Sequence, residues 1–185
     1  MKKDISKILA IIYIVYIGFG IAESGVDPLI PIISKEIGVG YDIIGLILFA
    51  TIFFMVIFTF YGGRLSDRYD TKKIIVFSLL SIFTGLLIFG LVLTLVLFII
   101  SMIFVRSGLG ALDSSAFAYI CQFFPKRRTE IFVKINLLWF IGCVIGSLNI
   151  SLLLYFGINP RILFTFTAGL FLILFKQLFL YLLYA

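Results

Sequence analysis

Two sets of residues in this chain carry chemistry that their surroundings make expensive. Tyr16, Gly20, Glu23 and Asp27 follow one another at intervals of four, three and four residues, which puts them on one face of a helix. Arg106, Gly110, Asp113 and Phe117 repeat the arrangement farther along. Both sets lie in or at the end of long apolar runs, and an ionisable side chain in the middle of a bilayer costs about 3 kcal/mol. Residues held against that cost are candidates for binding a solute or carrying a proton, since a carboxylate that gains a proton loses the charge that decides between two packings. Each has a structural alternative. Glu23 and Asp27 would sit hydrated at the outer interface, Arg106 would clamp the backbone of the first span, and Asp113 would brace the inner end of the fourth.

The elements that must position these residues follow from composition. The chain of 185 residues is 63% hydrophobic and 17% aromatic, with only 13% charged residues, far from the balance of a soluble domain. Its length accommodates about six spans of about 20 residues joined by short loops. The expected class is an all-α integral membrane protein, a single six-transmembrane-helix bundle over residues 1–185. Spans are expected at about 5–25, 42–62, 74–92, 95–120, 132–156 and 161–183. Pro28 and Pro31 stop the first, and a polar connector runs to Tyr41. The segment from Gly63 to Lys73 carries Arg64, Asp67, Arg68, Asp70, Lys72 and Lys73 and so reads as a wet loop. Lys126, Arg127 and Arg128 after Pro125 mark another, and Gly157, Asn159 and Pro160 form the last turn. The first run is retained as a helix rather than cleaved as a signal peptide, because five more follow it.

The positive charges fix a topology. Lys2, Lys3, Lys7, Arg64, Arg68, Lys72, Lys73, Lys126, Arg127, Arg128 and Lys134 fall on the side of the N-terminus, against Lys35 and Arg161 on the other. Eleven against two predicts a multi-pass cell-membrane protein with both termini cytoplasmic. The net charge of +6 therefore reports orientation and not nucleic-acid binding. Beyond Lys176 and Gln177 the last run has no basic cap; either Lys176 snorkels to the headgroups or the chain is truncated or split, and truncation is the favoured expectation.

From Gly62 to Lys73 the sequence resembles the signature loop between the second and third helices of the major facilitator superfamily. Gly63, Leu65, Asp67, Arg68 and Lys72 fall in register and Lys73 continues the basic end, while Asp70 replaces a family glycine and Thr71 a family arginine. The resemblance extends to Pro28, Pro31, Glu36, Gly38 and Gly45, and to Arg106, Gly108 and Gly110. It implies half of a drug-efflux-like carrier working by alternating access. The loop would be the conformational switch, in which Asp67 faces a helix of a second six-helix half, supplied by a second copy, a separately encoded chain or a fused half missing here. It also implies that the first and fourth spans line the cavity, turning Glu23 toward Arg106. Protonation of Glu23 would then release the pair, as proton coupling to a small-molecule substrate requires, and related efflux carriers often have an acid in the first span. The fifth span lacks the glycine-proline pair of the family's antiporter motif, so antiport is not implied.

Other classes fit less well. Without histidine, a Gly-x-Ser-x-Gly elbow or a run of aspartates, the chain offers no catalytic set for a membrane enzyme, and no phosphate-binding Gly-x-x-x-x-Gly-Lys loop for an ATP motor. No cofactor or metal is expected; Cys121 and Cys143 lack the spacing of a metal or redox pair. Trp139, Gly142, Gly146 and Asn149 share a face of the fifth span, where small residues serve close helix packing. An accessory or truncated half without transport of its own is the remaining alternative, and the lipid bilayer is the one partner common to every reading.

Overall fold

The computed structural model describes the backbone of residues 2–159 and 161–184, and the side chains of 8–159, 161–177 and 179–180. The basic side chains of Lys2, Lys3 and Lys7 lie outside the described residues. Those described form α1 (Lys2–Ser24), a 3-10 turn (Asp27–Leu29), α2 (Ile30–Ile37), α3 (Tyr41–Arg68), α4 (Thr71–Gly90), α5 (Leu95–Phe123), α6 (Arg128–Tyr155) and α7 (Arg161–Tyr184), with no strand among them. Among the described residues, five stretches are long and apolar enough to cross a membrane: Ile8–Ile37, Tyr41–Arg68, Thr71–Gly90, Leu95–Phe123 and Arg128–Tyr155.

Two segments expected to be loops are largely helical. Pro28 and Pro31 do end α1, but both then occupy the first turn of a new helix, where a missing N–H costs nothing. The connector thus contains a 3-10 turn and α2. It closes at Gly38, whose φ of 72° is a left-handed conformation that glycine adopts without strain. In the charged segment, α3 continues through Gly63, Leu65 and Asp67 to Arg68, and α4 starts at Thr71, leaving only Tyr69 and Asp70 outside the helices. Asp70 stands at the start of α4. Its carboxylate accepts the Lys72 N–H at 3.0 Å as the N-cap of α4, so a capping side chain serves where the family has glycine.

The helices pack as a chain of neighbours: α3 and α4 against α5, α7 against α4, and α6 against α1, with α7 also touching α1. The core is aliphatic and aromatic, with Leu79, Ile82, Phe89, Phe98, Phe164 and Phe171 at most 1% exposed. At the α1–α6 crossing, a side chain on Gly20 would meet the Trp139 carbonyl, and one on Gly142 would meet that of Ile17. Only glycine permits this backbone approach. By contrast α3 buries little beyond Ile44, Thr51 and Gly62, and α6 buries a single stripe, Ile131, Ile135, Gly142, Gly146 and Ile150.

Candidate functional site

The close α1–α6 crossing and the α1–α5 seam bring side chains from two helices to one carboxylate on α1. Arg106 Nη1 on α5 donates to Glu23 Oε1 at 2.8 Å, with side chains 19% and 26% exposed. Trp139 Nε1 on α6 donates to Glu23 Oε2 at 3.2 Å. Both oxygens of Glu23 are therefore held, one by a cation and one by a neutral donor. Arg106 stands eleven residues into α5, about 16 Å along its axis, so the pair lies well inside the span. Charge-assisted hydrogen bonds strengthen where water is scarce. Beside the pair, a cavity of about 10 Å³ is lined by Val26, Leu86, Phe89, Met102 and Phe164 among others, room for about one water at most.

Seven residues away on each helix, the seam is crossed again. Tyr16 Oη donates to Asp113 Oδ1 at 2.6 Å, and Tyr16 is only 5% exposed. The two cross-links are two turns apart, about 10 Å along the axis. Phe19 fills the interval, its ring 6.1 Å from that of Tyr16 and 6.2 Å from that of Trp139. The structure thus brings together Glu23 with Arg106, and Asp113 with Tyr16. Asp27, at the start of the 3-10 turn, is exposed and joins neither cross-link.

Trp139 is the residue the sequence reading missed, having been assigned to packing. Its signal was available, because an indole N–H inside an apolar run needs an acceptor, but nothing in the spacing pointed to Glu23 as that acceptor. Gly142 and Gly146 do serve packing, against Ile17 and Ile21 of α1. Asn149 and Asn136 each donate to a carbonyl of their own helix.

The charged segment between α3 and α4 forms a second candidate region. Asp67, Arg68, Asp70, Lys72 and Gln122 are among the residues lining an open cavity of about 430 Å³, and Asp67, Arg68 and Lys73 are exposed. The residue in close contact here is Gly62, set against Ala111 and Ser114 of α5, whereas a side chain on Gly63 would have no neighbour nearer than Ser114 Cβ at 4.0 Å. Leu65 is also exposed. At the opposite end of the bundle Arg161 of α7 pairs with Glu36 of α2, beside a cavity of about 300 Å³.

The family model described as Major Facilitator Superfamily matches residues 12–185. A protein of Pasteurella multocida named tetracycline resistance protein, class H, is 31% identical over 156 residues, 80% of this chain. The match spans 37% of that relative's length.

Proposed function

Because the chain belongs to the Major Facilitator Superfamily and is a multi-pass membrane protein, we propose that it acts in secondary transport of a small solute by alternating access, driven by protons. The observation that carries this reading is the Glu23–Arg106 ion pair across the α1–α5 seam. A proton delivered to Glu23 cancels the charge that Arg106 holds, and the pair loses its electrostatic reason to stay closed. The helices can then adopt a second packing, and proton release restores the first. Asp113 and Asp27 are secondary candidates for the same coupling. In this reading α7 is a sixth span, the bundle lies in the cell membrane with both termini cytoplasmic, and the chain performs no covalent chemistry.

One bundle offers one wall of a cavity, so the proposal includes a second six-helix half, whether a second copy, a separately encoded chain or a fused half. The exposed apolar faces of α3 and α6 are available for it. Asp67, Arg68, Lys72 and Lys73, with Gly63 and Leu65 on the same turn, would form the switch against that half. The related protein's name makes tetracycline the first solute to test, in the outward direction. The test is proton-gradient-driven tetracycline flux in proteoliposomes, with Glu23→Gln as the neutral mimic: coupled flux should fall by at least a hundredfold with membrane insertion intact. Unchanged coupled flux in that variant removes Glu23 from the mechanism.

The same exposed faces favour a second reading, an accessory half with no transport of its own. The mass of the detergent-solubilised protein, corrected for bound detergent, separates the two. A defined dimer or hetero-complex supports the carrier, and a lone monomer without flux supports the accessory half.

A further inference from the structure

Glu23 has two oxygens, and the ion pair uses one. The other accepts from Trp139, the only tryptophan in the sequence, on a helix that contributes no charge to the pair. We infer that Trp139 is a positioning residue for the Glu23 carboxylate, and that its indole is a built-in optical reporter of Glu23 protonation. The inference deepens the proton-coupling reading of this site and rests on it for its role in transport, though not for its chemistry.

The argument is geometric. Tight packing of Gly20 against Gly142 and the Trp139 carbonyl fixes the α6 backbone on α1, and Phe19 packs against the indole from the neighbouring turn. The ring is therefore held with its N–H toward Oε2 and has little freedom to turn away. A donor to the charged form of a carboxylate stabilises that form, and the bond weakens when the acceptor becomes neutral. Among the described residues the titratable and charged groups near Glu23 are few, and Asp27, four residues on, is exposed. Arg106 comes from α5, and Cys143, one turn beyond Trp139 on α6, is within electrostatic reach. Leu86 and Phe89 of α4 and Phe164 of α7 present only carbon, and the Tyr16–Asp113 pair is two turns away. A change in the charge next to the indole therefore has one principal source.

The experiment uses the purified full chain in nanodiscs. Tryptophan emission should change reversibly across the acid-to-neutral range, lose that change in Glu23→Gln and keep it in Cys143→Ser. Infrared titration of the Glu23 carboxyl band, identified by its absence in Glu23→Gln, should show protonation completed at higher pH in Trp139→Phe, which keeps the ring and removes the N–H. The expected displacement is about threefold to tenfold in proton concentration. Flat emission in the wild-type chain overturns the inference by itself. So does a pH response that survives in Glu23→Gln, a response lost in Cys143→Ser, or an infrared midpoint unmoved in Trp139→Phe. If both titrations behave as expected but Glu23→Gln leaves coupled flux intact, Trp139 still positions and reports the carboxylate, and the coupling reading is what fails.

Discussion

The α1–α5 seam is crossed twice, and the two crossings use the same kind of acid with opposite kinds of partner. Glu23 faces a permanent cation from α5 and an indole from α6, whereas Asp113 faces a single phenol from α1. A proton arriving at Glu23 leaves Arg106 without its counter-charge. A proton arriving at Asp113 strands no cation in the pair. On the proposed mechanism the first crossing responds to charge, and the second holds the helices in register while it does.

The comparison is broken most severely by Arg106→Leu, which leaves a largely buried carboxylate without its cation. A loss of about 3 kcal/mol of bundle stability is expected, read as thermal unfolding in detergent, with Glu23→Gln in the same chain recovering much of it. A double variant no more stable than Arg106→Leu alone would mean the two residues are not energetically coupled. Gly142→Leu should come next, at about 2 kcal/mol, because the added side chain runs into the Ile17 carbonyl and must push α6 away from α1. It should also weaken the pH response of Trp139 emission by removing the indole from Oε2. Tyr16→Phe should cost about 1–2 kcal/mol through the unpaired Asp113 oxygen, while leaving the pH response of the Glu23 site in place. If it abolishes that response, the two crossings are one unit and do not differ in role. The smallest effects belong to the α3–α4 turn. Asp70→Ala should lose a cap worth about 1 kcal/mol, and Gly63→Ala should stay within about 0.5 kcal/mol, well below Gly62→Ala, whose new methyl would meet Ala111 and Ser114.

The apolar runs made the long helices legible, because composition alone separates a span from a charged loop. The pairing of Glu23 with Arg106 was legible only through the family resemblance; spacing placed each on a helix face but could not say which faces meet. Three features were hidden for physical reasons. Pro28 and Pro31 read as breakers, although a first helical turn accepts proline as readily as a loop does, so α2 was invisible. In the charged segment the hydrophilic side chains announced water, but helices continue into water, so α3 and α4 reached almost to each other. The difference between α5, densely packed, and α3, mostly exposed, was hard to read because lipid-facing residues are no less apolar than core-facing ones, and the exposed α3 is in fact the more hydropathic of the two. Trp139 belongs with these, since its partner was set by how α6 crosses α1.

The two-residue link between α3 and α4 has a mechanical consequence. With only Tyr69 and Asp70 outside the helices, there is no slack for one helix to slide along the other, and both are seated on α5. A tilt of the hairpin about its charged end would act as a lever. Twenty-eight residues of α3 make an arm of about 42 Å, so a tilt of about 5° at the turn sweeps the far end through about 4 Å. A displacement too small to break the Asp70 cap would thereby be magnified at the far end of α3, beside α2, which contacts α3.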